Sequence, residues 1–218
     1  MSATITALAT VATGIMVANV WRNGFAGRPG ADNAQVLNSR SPSRDRAFLA
    51  RLFDRLLAGR PDGSHPAVVC DIGGAGQIST ASDPHGRIGT VIEVNDPAAV
   101  PGAIPEAAFH AGNRNDLDVV TLFGVCMYLD EAHLTRYFVS ARARLRPDGW
   151  LVIADPEYSS GLSRSLRSMA TAWLLATPID YKPLTVVARI AGRCGFELVQ
   201  RQTHAGDWYV ALFRPLPE

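Results

Sequence analysis

Lysine is almost missing from this chain. Lys182 is the one lysine among 21 basic residues, and the arginines that make up the rest are scattered and form no runs. A nucleic-acid footprint needs a concentrated basic face, so this pattern and the formal net charge of +1 exclude that class of partner. Cysteine is scarce as well. Cys70, Cys126 and Cys194 lie far apart without C-x-x-C spacing, and two of them sit in apolar, strand-like runs. They read as buried thiols of a reducing compartment, which places the protein in the cytoplasm and argues against a disulfide or zinc frame. No H-x-x-x-H, Cys/His cluster or Ser-His-Asp set is visible, so no metal is expected.

Charge is absent from residues 2–20. No Lys or Arg precedes that stretch and it is rich in Thr and Ala, unlike a secretory signal. Ile5, Leu8, Ala12, Ile15, Met16 and Val20 recur at spacings of three and four and paint one stripe of a helix. An amphipathic cap helix is the preferred reading, with a cleaved or membrane-bound segment as its alternative.

Against these absences stand 47% hydrophobic and 19% charged residues, the composition of an ordinary globular body. At 218 residues one domain with a sizeable core is expected, with residues 1–40 as a helical cap and 156–183 as a lid insertion. Gly24 to Asn33 reads as a loop. Residues 43–58 alternate charged and apolar faces at helical period, with Ser43 as candidate N-cap. Short apolar runs and helical segments then alternate, the pattern of parallel strands linked by right-handed crossovers. The strands expected are Ala67–Asp71, Gly89–Glu93, Ala107–Ala111, Asp118–Phe123, Trp150–Ala154, Glu197–His204 and Trp208–Arg214. Asp130–Arg146 reads as a helix closed by Pro147-Asp148-Gly149. Ala205-Gly206-Asp207 gives the last two runs hairpin spacing, so the sheet should end in an antiparallel pair.

The strongest local feature is Val68-Val69-Cys70-Asp71-Ile72-Gly73-Gly74-Ala75-Gly76-Gln77, an apolar strand entering a glycine-rich turn. Glycine lets the backbone turn tightly and approach a ligand, although strand-to-helix turns also use it for packing alone. Glu93 ends the next run about 20 residues later, where a nucleotide-binding α/β unit puts an acid on ribose hydroxyls; a solvated strand end is the plainer reading. Asp71 separates two cofactor classes. An acid at the strand end repels the pyrophosphate of a nicotinamide cofactor, whereas S-adenosylmethionine carries an ammonium and a sulfonium and no phosphate.

These residues resemble the first motif of the class I S-adenosylmethionine-dependent methyltransferases, and Asp71-Ile72-Gly73-Gly74-Ala75 is similar to a variant found among small-molecule O-methyltransferases. The resemblance covers roughly residues 40–214. It includes Leu117–Leu129 as the fourth motif, Arg146–Ile153 as the following turn and strand, and Ala191–Phe196 as the end of the last helix. It implies an α/β, Rossmann-like, seven-stranded, mostly parallel sheet with a terminal antiparallel hairpin and helices on both faces. It also implies S-adenosylmethionine as cofactor, held by Asp71, Gly73, Gly74, Gly76, Glu93, Val94, Asn113, Phe123 and Gly124. Departures are Gln77 for the third glycine, Ala75 for the second, and neutral Asn113 where an acid is usual.

Methyl transfer from a sulfonium is an in-line displacement, so positioning supplies most of the acceleration and a base is needed only if the acceptor loses a proton. Tyr128, Tyr158, Asp155 and Glu157 fall at strand ends facing the crevice mouth. Each is also the kind of residue that packs or is solvated. His133 serves as a general base if it points inward, but Leu134 carries the apolar face of its helix, which favours a surface position. His110 and His204 lie in expected strands, where a structural role is the default. Leu162, Leu166, Met169, Trp173 and Leu174 have helical spacing and, with Trp21, Arg22 and Phe25, suggest a lid for an apolar or aromatic acceptor; core packing is the alternative.

The expected activity is therefore methylation of O, N or C of a small molecule of secondary metabolism, with no nucleic acid or membrane as partner and a homodimer as the assembly. A protein of this fold that binds without transferring methyl is the alternative, and a nicotinamide oxidoreductase is disfavoured by Asp71.

Overall fold

Apolar residues three and four apart build the first described helix, α1 (Arg46–Leu57), whose Phe48, Leu49, Leu52, Phe53, Leu56 and Leu57 are all buried. Burial of each such side chain contributes about 1.5–3 kcal/mol, which outweighs the modest propensity of a 12-residue segment. Its cap is Asp45, whose carboxylate accepts from the Phe48 N–H at 2.9 Å. The expected cap, Ser43, lies instead in a 3₁₀ turn, Pro42–Arg44, where its hydroxyl is 2.9 Å from that of Ser41. The computed structural model describes residues 41–59, 65–74, 76–112, 115–157, 179–205 and 208–217. The cap expected over 1–40 and most of the lid expected over 156–183 lie outside them.

Six strands follow among the described residues: β1 (Ala67–Ile72), β2 (Ile88–Val94), β3 (Leu117–Phe123), β4 (Leu145–Pro156), β5 (Phe196–His204) and β6 (Trp208–Pro215). They form one sheet in the order β2-β1-β3-β4-β6-β5. β1 to β4 run parallel, and β6 is antiparallel to both β4 and β5. All seven residues of β3 are buried, as expected of a central strand covered on both faces. One face carries α1. The other carries α2 (Glu106–His110), α3 (Glu131–Arg144) and α4 (Leu184–Arg193), so residues of β1 to β4 and β6 enter two separate cores. The expected α/β sheet with a terminal hairpin and helices on both faces is the architecture present.

The strand count is corrected from seven to six among the described residues, because Ala107–Ala111 is not a strand. Those residues lie in and just beyond α2, capped by Pro105 and joined one turn apart by Glu106 and His110 at 2.9 Å. Alanine favours helix, and Phe109 is fully buried with its ring 5.8 Å from that of Tyr137 on α3. Pairing beside β2 is reduced to one parallel bridge, Val94 to Ile104. A smaller difference lies at Pro147-Asp148-Gly149, which β4 absorbs through a register shift against β3.

Candidate active site

The carboxyl end of β1 carries Asp71, buried between Glu93 on β2 and Thr121 on β3 in the strand register. Thr121 Oγ1 donates to Asp71 Oδ1 at 2.6 Å. Burial pushes the Asp71 carboxyl up to about 7; the Thr121 bond opposes this and the charge of Glu93 adds to it. The chain then folds back over that carboxylate. A Cβ on Gly74 would stand 2.2 Å from Asp71 Oδ2, so no other residue fits there without displacing the acid. Gly76, at φ +77°, donates its N–H to Glu93 Oε1 at 2.6 Å, and Asn95 Nδ2 donates to the Gly74 carbonyl at 2.7 Å. Gly73 donates its N–H to the Val94 carbonyl at 2.8 Å.

The other expected cofactor residues are placed as follows. Val94 and Phe123 bury their side chains in opposite cores. Gly124 donates to the Ala154 carbonyl at 2.8 Å, which ties the end of β3 to β4. Asn113 lies outside the described residues.

A second polar group lies at the carboxyl end of β4. Asp155 Oδ2 accepts from the Cys126 N–H at 3.1 Å, while Asp155 Oδ1, the Tyr128 hydroxyl and the Tyr209 hydroxyl are buried without hydrogen-bond partners among the described residues. Tyr209 faces Asp155 across the β4–β6 pairing. Burial pushes Asp155 up to about 7, against the hydrogen bonds of Cys126 and of the Met127 backbone and the charge of Lys182. Burial, with the Asp155 charge second, pushes Tyr128 up to about 12, and the same causes in the same order raise Tyr209.

Lys182 explains how the group is held. Its ammonium donates to the carbonyls of Cys126, Leu129 and Asp180 at 3.1, 2.5 and 3.3 Å and pairs with Asp180 Oδ2 at 3.1 Å. The Asp180 N–H donates to the Met127 carbonyl at 2.8 Å, and Ile179 and Tyr181 pack on Met127 and Tyr128. The short turn Cys126–Tyr128 is thereby fastened from outside the strands that carry it.

Of the two expected catalytic residues that the structure describes, Tyr128 is brought to this group and His133 is not. His133 stands half exposed in the first turn of α3, its Nδ1 2.8 Å from Asp130 Oδ1. Tyr158 lies outside the described residues. Glu157 pairs with Arg201. His110 is held between Ser140 and Glu106, and His204 packs on Phe48, both structural arrangements. Thr121, Asn95, Lys182 and Tyr209 were not singled out from sequence as site residues. Thr121 did leave a trace, as a polar residue inside an apolar run; the partnership of Tyr209 with Asp155 exists only in the strand register. Among the described residues no group of three or more His, Cys, Asp or Glu is placed to hold a metal, and no helix is long and apolar enough to cross a membrane.

A glycine turn after the first strand, acids at two parallel strand ends and an antiparallel last strand inserted beside β4 together define a class I S-adenosylmethionine-dependent methyltransferase fold. The chain belongs to the methyltransferase domain family, whose model matches residues 43–201. No curated protein matches it by sequence. Among solved structures it is similar to an O-methyltransferase family 2 protein from Planctomyces limnophilus in complex with apigenin, at 18% identity and TM-score 0.63, covering 92% of this chain and 66% of that one. It is also similar to the Burkholderia thailandensis 1,6-didemethyltoxoflavin-N1-methyltransferase with bound 1,6-didemethyltoxoflavin and S-adenosylhomocysteine, at 17% identity and TM-score 0.61, covering 97% and 90%. A structure described as a pericyclic reaction enzyme shares the fold at 15% identity and TM-score 0.57, covering 76% and 47%. The chain thus spans less than two thirds of the length of several proteins it matches.

Proposed function

We propose that the protein transfers the methyl group of S-adenosylmethionine to O, N or C of a small-molecule acceptor, mainly by holding donor and acceptor in line. The observation that carries this reading is the joining of Gly76 and Glu93 across a turn lined by acids: Glu93 Oε1 accepts from Gly76, and Asp71 lies beneath Gly74. A cationic donor suits this end of the sheet, whereas a pyrophosphate at the turn would meet the Asp71 carboxylate. In this reading Glu93 accepts from the ribose hydroxyls, Gly73, Gly74, Gly76 and Gly124 present backbone to the donor, and Asp71 sets the field of the turn. Val94, Phe123 and Asn113 border the adenosyl group. The donor, when bound, supplies a methyl carbon on a positively charged sulfur.

Calorimetric titration tests the reading. S-adenosylmethionine and S-adenosylhomocysteine should bind and NAD should not. Glu93→Ala should weaken both by roughly ten- to a hundredfold, the effect of losing hydrogen bonds to a charged group; unchanged affinity would remove the ribose role. The occurrence of this fold in a pericyclic enzyme favours one second reading, cofactor binding without methyl transfer. Tight binding with no labelled methyl passed to any of a panel of phenols, amines and activated carbon acids would select it.

A further inference from the structure

We propose that Asp155, Tyr128 and Tyr209 form the polar end of the acceptor pocket, with Asp155 Oδ1 taking the proton of an aromatic O–H or N–H as that atom is methylated. This rests on the methyltransferase reading above. A buried carboxylate oxygen and two buried hydroxyls near it, all three without a partner among the described residues, are unusual, since native structures pair nearly all such atoms. A ligand bearing one donor and one acceptor supplies what they lack. The group also lies beside the donor turn: Val125 Cγ2 would be 2.6 Å from a Cβ on Gly73, and the next residue, Cys126, donates to Asp155. One short loop therefore touches both places.

The surrounding charges select the acceptor. Asp155 faces Cys126, Tyr128, Tyr209 and Lys182, with Glu157 beyond them paired to Arg201. The Lys182 ammonium is engaged by three carbonyls and Asp180, so a carboxylate acceptor meets Asp155 without compensation. A neutral phenol-like group, with a pKa of about 10, is within reach of a carboxylate held near neutrality, whereas an alkyl alcohol is far weaker as an acid. In the step, the O–H or N–H bond breaks and its pair stays on the heteroatom. A pair on that atom forms the bond to the methyl carbon, the carbon–sulfur pair returns to sulfur, and the proton ends on Asp155 Oδ1.

The test uses 4-nitrophenol as probe, read by its phenolate absorbance in the presence of saturating S-adenosylhomocysteine. The wild-type protein should bind it saturably and keep it protonated to a pH roughly one unit higher than in Asp155→Asn, because a neighbouring carboxylate disfavours the phenolate. Tyr128→Phe and Tyr209→Phe should each weaken binding at least fivefold, while their melting temperatures hold or rise as an unpaired hydroxyl is removed. Tyr→Phe variants that melt lower and bind the probe as wild type does would show hydroxyls satisfied within the fold, and would overturn the proposal. Wild-type protein that binds S-adenosylhomocysteine but not the probe would also overturn it while leaving the donor site standing. Protein that binds neither defeats the underlying reading.

Discussion

Asp71 and Asp155 occupy matching positions, each at the carboxyl end of a parallel strand and each pushed up to about 7 by burial, yet they are finished differently. Asp71 Oδ1 is held by Thr121, and the backbone of Gly74 closes over the other oxygen. Asp155 is held by Cys126 and the Met127 backbone, and its Oδ1 has no partner among the described residues. The two also belong to opposite faces of the sheet: Asp71 shares the face of Val69 toward α1, and Asp155 that of Ile153 toward α3 and α4. The same desolvation therefore leaves both oxygens of Asp71 enclosed and one oxygen of Asp155 without a partner among the described residues.

The sharpest way to break the comparison is Gly74→Ala. With a Cβ 2.2 Å from Asp71 Oδ2, the turn and the acid cannot both keep their places. The substitution should abolish measurable S-adenosylmethionine binding and cost about 1–3 kcal/mol of stability, as read by calorimetry and denaturant unfolding. Donor affinity that survives would detach Asp71 from the site.

Next in size is a pH effect on donor binding. A cation beside Asp71 favours its ionised form, so affinity should fall on acidification below pH 7, by up to about tenfold per pH unit. Asp71→Asn should bind more weakly and lose this dependence. An equal slope in wild type and variant would assign the proton elsewhere.

The smallest effect is on stability. Asp71 and Asp155 are raised from 3.8 to about 7, so between those values the folded chain holds protons that the unfolded chain releases. Stability should therefore fall as pH rises from about 4 to 7 and then level off. Glu106 is lowered chiefly by its hydrogen bond to His110, and Asp83 is lowered because the bonds of Arg87 outweigh its burial. Both act in the opposite direction, with stability lost only as pH falls below about 4. Scanning calorimetry should show a higher melting temperature at pH 5 than at pH 7.5, and a shallower difference in Asp71→Asn or Asp155→Asn. A melting temperature that rises toward pH 7.5 would mean that both carboxylates stay ionised.

The sequence by itself determined the alternation of helices and strands, the glycine turn after Asp71, the acid at Glu93 and the terminal hairpin. These are local or periodic properties: a strand covered on both faces is mostly apolar, and a turn that doubles over a side chain must be glycine. Ala107–Ala111 was not legible, since a short alanine-rich apolar run satisfies both periods and only Phe109 against Tyr137 settles it as helix. Of the polar group at β4, Tyr128 and Asp155 could be placed at strand ends, but Tyr209 and Lys182 could not be joined to them. That union is made by an antiparallel register and by a strap from far along the chain, and contacts between residues so distant in sequence are fixed only when the sheet and its helices close on one another.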